Sequence, residues 1–232
     1  MSDIGTLNEK PLHAALKEWY SRPGDQFEVS VDGFVVDIVR NGLLIEIQTG
    51  NFSSIKRKMH ALAEQHRIRL VYPIAREKWI LRLGKNGGSR VLGRRRSPKR
   101  GAMEQVFREL VSFPGLISHS NFSLEVLLIR EEEVRCYDGR RRWRRNGWIT
   151  KERRLLDVIG REVFEGPADV LGIIPSDLAQ PWTTADLAIA IGQPRWLAQK
   201  IVYCLREAGA ARAVGKKGNA FLYATCIQSP AS

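Results

Sequence analysis

Two dipeptides constrain this chain more than any other feature. Asp32-Gly33 and Asn41-Gly42 each separate runs of alternating apolar and polar residues. Asp-Gly and Asn-Gly tolerate the two successive left-handed residues of a type I′ turn, whose twist matches that of antiparallel strands. Phe27 to Val31, Phe34 to Arg40 and Leu43 to Gln48 are therefore expected to form a three-stranded meander. A two-residue turn also fixes register, because a slip of one residue would send every side chain to the wrong face. Counting outward from the turns puts Asp37 opposite Glu46 on one side and opposite Glu28 on the other.

Alternation places Asp37, Glu46 and Gln48 on one face, with Val35, Val39 and Leu44. The other face carries Val36, Ile38, Ile45 and Ile47, a β-branched patch that must pack on a core. Pro11 to Tyr20 precedes the meander as a helix with Leu12, Ala15, Leu16 and Trp19 inward and Asn8 as a candidate N-cap. Ser53 to His66 follows as a second helix, and Ile68 to Ile74 as a further strand. The order is α-β-β-β-α-β.

Like charges directly opposed across strands destabilise a sheet. Three carboxylates in a row across it therefore point to a bound hard cation, Mg²⁺ or Mn²⁺, which prefers carboxylate oxygen. The competing reading is an exposed face of solvated acids, which the apolar neighbours on that face argue against.

These residues resemble the PD-(D/E)XK, or restriction endonuclease-like, nucleases. Asp37, eight intervening residues and Glu46-Ile47-Gln48 are similar to the family's Asp…Glu-x-Lys signature, and the element order of residues 9 to 74 is similar to its core. The resemblance implies an α/β fold with a mixed sheet, and a metal held by Asp37 and Glu46 with the Ile47 carbonyl nearby. It also implies an acid from the first helix, where Glu9 is preferred to Glu18. Gln48 stands where the family has Lys, and a neutral amide lacks the charge that stabilises a phosphorane-like transition state. Lys56 or Lys58 of the next helix could supply it.

Composition names a partner. The chain of 232 residues carries 37 Lys and Arg against 25 Asp and Glu, a formal +12 with pI near 10.0. The excess lies almost wholly in residues 84–154, which hold 18 basic and 8 acidic side chains. Two bursts dominate: Arg94-Arg95-Arg96-Ser97-Pro98-Lys99-Arg100, and the run containing Arg141, Arg142, Arg144 and Arg145. Read as loops, they suit phosphate backbone contacts, with Trp143 and Trp148 as stacking or anchoring residues. DNA is the expected partner, with RNA left open; a membrane is not expected, and a homodimer is compatible with the chain.

No apolar run approaches the roughly 18 residues of a membrane span, and no basic-then-apolar leader opens the chain, so a cytoplasmic protein is expected. Cys136, Cys204 and Cys226 are too scattered for a disulfide framework, and His13, His60, His66 and His119 show no ligand spacing. Further on, Lys78 to Leu83 and Leu124 to Val134 read as strands and Met103 to Val111 and Glu152 to Phe164 as helices, with Glu131-Glu132-Glu133 as a solvated strand end.

Beyond Gly166-Pro167, a helix opening at Thr183 or Thr184 is followed by a turn at Gly192-Gln193-Pro194 and a helix from Arg195 to Ala208. Two short strands then flank Gly215-Lys216-Lys217-Gly218. This unit resembles a winged helix-turn-helix domain. The resemblance implies major-groove contact by Arg195, Trp196, Gln199, Lys200 and Tyr203, and backbone contact by Lys216 and Lys217. Two domains are expected, a nuclease-like one over 1–154, with residues 84–154 as its basic extension, and the winged one over 155–232. The function expected is metal-dependent hydrolysis of DNA phosphodiesters, and the alternative is an inactive nuclease-fold adaptor or regulator that binds nucleic acid.

Overall fold

A computed structural model describes residues 10–85, 90–137 and 147–226. Glu9 and the run Arg141, Arg142, Trp143, Arg144 and Arg145 lie outside these. Helix α1 (Pro11–Tyr20) starts with proline at its first turn, where the missing N–H costs nothing. Strands β1 (Gln26–Val31), β2 (Phe34–Arg40) and β3 (Leu43–Ile47) form the meander. Both turns are left-handed as expected, with φ +49° and +80° at Asp32 and Gly33 and +47° and +78° at Asn41 and Gly42.

Next comes a single turn of 3₁₀ helix, Phe52–Ile55, where the Asn51 side chain accepts the Ser53 N–H. Helix α2 (Lys56–Ala63) continues from it. Strand β4 (Ile68–Lys85) merges the two strands expected there into one of 18 residues. Strand β5 (Val91–Arg96), the short helix α3 (Phe107–Leu110), β6 (Phe122–Tyr137) and β7 (Trp148–Phe164) complete the first unit.

The large sheet runs β1-β2-β3-β4-β6-β7, with β5 paired to the far half of β4. Strands β1 to β3 are antiparallel, β4 lies parallel to β3 and to β6, and β7 is antiparallel to β6. The fold is thus α/β with a mixed sheet. Three corrections follow. Glu152 to Phe164 is strand β7, which also carries the sheet through the division expected at residues 154–155. Arg94 to Arg96 stand on a strand and not in a loop. In α1 it is Tyr20 that turns inward, leaving Trp19 at 44% exposure.

Leu12, Leu16 and Tyr20 of α1 cover Ile38, Ile45, Ile47, Val71, Leu127 and Ile129 on one side of the sheet. Val36 does not join them as expected. It packs with Leu44 in a larger core that takes in Met59 and Leu62 of α2 and runs on into the C-terminal unit. Within that core Phe52 stacks on Phe113 at 5.4 Å and meets Tyr72 edge-on at 5.0 Å, contacts worth about 0.5–1.5 kcal/mol each beyond burial.

The C-terminal unit comprises α4 (Pro167–Leu171), α5 (Thr184–Ala190), α6 (Arg195–Glu207) and the hairpin β8 (Ala211–Lys217) and β9 (Ala220–Thr225). Thr183 caps α5, with Asp186 returning the bond to the Thr183 N–H at 2.8 Å. Trp182 bridges to Tyr223 of β9, tying the hairpin to the segment before α5. Ser118 Oγ donates to the Ala208 carbonyl at 3.0 Å, so the end of α6 is fastened to the first unit.

Candidate functional site

The β2–β3 ladder extends from the Asn41-Gly42 turn to the Ile38–Ile45 pair, and Asp37 and Glu46 lie just beyond its last rung. There Asp37 turns its carboxylate onto the neighbouring strand, and its Oδ2 accepts the Ile47 N–H at 2.7 Å. A side chain thus stands in for the next backbone bond. The His13 ring of α1 lies against the same oxygen, with Nε2 3.2 Å away. Glu46 pairs with the ammonium of Lys58 on α2, which also donates to the Val35 carbonyl at 2.6 Å. Helices α1 and α2 therefore reach the two acids from opposite sides.

The two carboxyls settle differently. Burial alone would raise Asp37, but the His13 ring, the Ile47 amide and the Lys58 charge outweigh it and hold the carboxyl below its usual value. Glu46 is pushed up to about 7, first by burial and then by the Asp37 charge, which Lys58 only partly offsets. One acid of the pair is thus held ionised, and the other titrates near neutrality. Asp37 and Glu46 are the hard oxygen donors at this place, the ligand type a divalent ion such as Mg²⁺ or Mn²⁺ takes.

Glu28 does not complete the row. Its neighbours keep the expected register, Phe27 with Ile38 and Val29 with Val36. Glu28 itself has φ +52° and pairs with Lys17 of α1. The left-handed residue swings the carboxylate to the helix side. Among the described residues no group of three or more His, Cys, Asp or Glu is arranged to hold a metal ion. Gln48 braces the following loop, its Nε2 donating to the Asn51 carbonyl at 3.1 Å and to Ser54 Oγ at 3.2 Å. Lys56 is exposed, so of the two lysines only Lys58 reaches the acids.

His13 is the residue that sequence reasoning missed. The sequence offered one signal for it, its place within the helix expected over Pro11 to Tyr20.

The basic residues divide into engaged and free-standing groups. Arg94 lies over the Trp79 ring at 4.3 Å and bonds Glu132 at 2.7 Å, and Arg96 pairs with Glu77 at 2.6 Å. Arg95, Lys99 and Arg100 are exposed, without an ion pair among the described residues. Trp148 anchors its strand, edge-on to Tyr137 at 5.8 Å and beneath Arg82 at 5.0 Å. Glu131, Glu132 and Glu133 are buried and not a solvated strand end, because Lys78, Arg94, Arg135, Arg153 and Arg154 converge on them.

On α6, Trp196, Gln199 and Tyr203 face outward as expected and Lys200 is half-buried. Arg195, Gln199 and Tyr203 line a groove against the β8–β9 hairpin. Lys216 and Lys217 belong to β8 itself, because the turn falls at Gly218 and Asn219, and Lys216 lies over Phe221 at 4.9 Å.

Residues 10–165 match a family model described as a domain of unknown function, DUF8091. The chain belongs to the DUF8091 family. The matched region takes in α1, the forked β2–β3 pair and the whole large sheet, and it ends one residue after β7. An uncharacterized protein of Treponema pallidum (strain Nichols) is 31% identical over 188 residues, which is 80% of this chain and 73% of that one. That alignment is longer than the DUF8091 region, so the likeness extends outside it. No solved structure matches the chain. No helix among the described residues is long and apolar enough to cross a membrane.

Proposed function

We propose that this chain is a divalent-metal-dependent nuclease that hydrolyses DNA phosphodiester bonds, with its site at Asp37 and Glu46. The observation that carries the reading is that the half-buried Asp37 and the buried Glu46 both lie just beyond the last β2–β3 rung, with Glu46 pushed up to about 7. Three antiparallel strands, a fourth parallel to the third, and helices α1 and α2 reaching the acids from opposite sides support the PD-(D/E)XK resemblance.

Asp37 and Glu46 would hold Mg²⁺ or Mn²⁺, which polarises a phosphodiester and acidifies water. Lys58 supplies the positive charge that Gln48 cannot, and His13 fixes the Asp37 carboxylate. The C-terminal unit supports DNA binding as a winged helix, with α6 for the groove and β8–β9 as the wing.

A second reading is a nuclease-fold adaptor without activity, and one observation favours it. Both acids already touch a side chain able to carry positive charge, His13 at Asp37 and Lys58 at Glu46. Plasmid nicking with Mg²⁺ or Mn²⁺, compared between wild type and Glu46→Ala, separates the two. The nuclease reading expects nicking that Glu46→Ala abolishes, and equal nicking by both proteins sinks it. Calorimetry should show Mn²⁺ binding that tightens as pH rises through about 7, where Glu46 loses its proton. Absence of Mn²⁺ binding by the intact site favours the adaptor.

A further inference from the structure

We infer that a second site, a cavity of about 420 Å³ between β4, the segment at residues 97–101 and α3, seats the phosphate backbone of a nucleic acid strand. Its lining includes five cations, Lys78, Lys99, Arg100, Arg108 and Arg153, and no acidic side chain. The inference rests on the nucleic-acid reading of the chain and is independent of catalysis.

The cavity is built by the backbone. Ser97 N–H donates to the Lys78 carbonyl at 2.7 Å and Gly101 N–H to the Ala75 carbonyl at 2.9 Å, so the segment lies across β4, fastened at both ends. The Arg76 guanidinium donates to the Gly101 carbonyl at 3.0 Å. At Gly101 an added Cβ would stand 2.6 Å from both the Ala75 oxygen and Ile74 Cγ2, so only glycine permits this approach. The consequence is that Lys99 and Arg100 are held at the rim.

Floor and rim differ in charge balance. Lys78 and Arg153 share the fully buried Glu131, at 2.7 Å from Nζ and 2.9 Å from Nε, and Lys78 also approaches Glu133 at 3.3 Å. Lys99, Arg100 and Arg108 have no ion pair among the described residues. Three unneutralised cations around one cavity repel one another unless an anion sits among them, and phosphate is the anion that Arg and Lys together recognise.

Continuity favours a strand over a small anion. Arg153 also lines the neighbouring cavity of about 440 Å³ beside Gln48, Asn51 and Ser54, and donates to the Thr49 carbonyl at 3.3 Å. At the other end the Arg108 guanidinium lies 5.8 Å from the centre of the Trp196 ring, on the outward face of α6. The basic cavity thus lies between the loop that follows the carboxylates and the C-terminal unit.

The test is fluorescence anisotropy of labelled duplex and single-stranded oligonucleotides with the full chain in EDTA, so that cleavage cannot enter the readout. The double variant Lys99→Gln/Arg100→Gln removes exposed groups without ion pairs and should fold as wild type, which circular dichroism checks. For duplex, affinity should fall about tenfold or more and the slope of log affinity against log salt should become shallower by about 1.8, two phosphate contacts at roughly 0.9 each. Arg108→Gln should act in the same direction. A control of equal charge change, Arg22→Gln/Arg161→Gln, should leave the slope nearly unchanged. Equal slopes for wild type and Lys99→Gln/Arg100→Gln overturn the inference. So does stabilisation of wild type but not the variant by inorganic phosphate with equal oligonucleotide binding, which would make the cavity a small-anion site.

Discussion

Two groups of acidic side chains, Glu131 with Glu133 and Asp37 with Glu46, are treated in opposite ways by their surroundings. At Glu131 and Glu133 hydrogen-bond donors, most of them cationic, surround the acids: Lys78 touches both, Arg153 holds Glu131, and Arg135 and the Thr150 hydroxyl hold Glu133 at 2.8 and 2.7 Å. Burial there raises the Glu133 carboxyl, but these partners overcome it and bring it down to about 2. At Asp37 and Glu46 the compensation falls short, and Glu46 rises to about 7. One network locks three long strands together, whereas in the other pair Glu46 is left under-compensated. The upward shift of Glu46 and the downward shift of Glu133 mark that difference in surroundings.

The largest expected effect comes from breaking the brace. Arg153→Ala takes a cation from Glu131, which is 0% exposed and keeps only Lys78. Removing one partner of a buried ion pair costs about 3 kcal/mol or more, read as a lower midpoint in urea unfolding. Lys58→Ala removes a cation from Glu46 in the same way, but Glu46 can bind a proton near neutral pH. Its cost should be smaller and should shrink further from pH 8 to pH 6. Equal, pH-independent losses in the two variants would erase the distinction between the clusters.

The second effect is the pH profile of stability, where the two shifts have opposite signs. Glu133 has a folded value of about 2 against an ordinary 4.5, so its contribution is present above pH 4.5 and is lost as pH falls from there towards 2. Glu46 has a folded value of about 7 against 4.5, so the folded state binds the extra proton. Stability from this group is full below pH 4.5 and is lost as pH rises through about 7. Glu133→Gln should remove part of the acid limb, and Glu46→Gln should flatten the decline between pH 5 and 8. Urea unfolding across pH reads both, and an unchanged neutral limb in Glu46→Gln would remove the basis for calling that pair under-compensated.

The two clusters were also unequally legible. Asp37 and Glu46 could be paired from sequence because two tight turns fix register locally, and the turns have the expected left-handed residues. Glu28 escaped the same arithmetic because register does not reveal a left-handed φ within a strand. Glu131 to Glu133 could not be read, since Lys78 lies about fifty residues away in sequence and Arg153 about twenty. Strand β7 looked helical for a physical reason. Leu155, Val158, Ile159 and Val163 recur at spacings of three and four, and the bulges opposite β6 break the period of two that marks a strand. His13 needed the fold itself, because only the packing of α1 brings it to Asp37.

The smallest effect tests where the site ends. Gln48 occupies the motif position that the nuclease resemblance assigns to catalysis, yet its amide is committed to Asn51 and Ser54. Those two bonds hold the loop leading into the 3₁₀ turn and α2, and so set where Lys58 arrives. Gln48→Ala should therefore cost only about 1 kcal/mol of stability, the value of an ordinary exposed hydrogen-bond group. On the proposed reading, in which Asp37 and Glu46 hold the metal, Mn²⁺ affinity should stay within a few-fold of wild type. If Gln48→Ala instead abolishes metal binding while leaving stability unchanged, Gln48 itself belongs to the donor set, and the boundary of the site lies just past the end of β3.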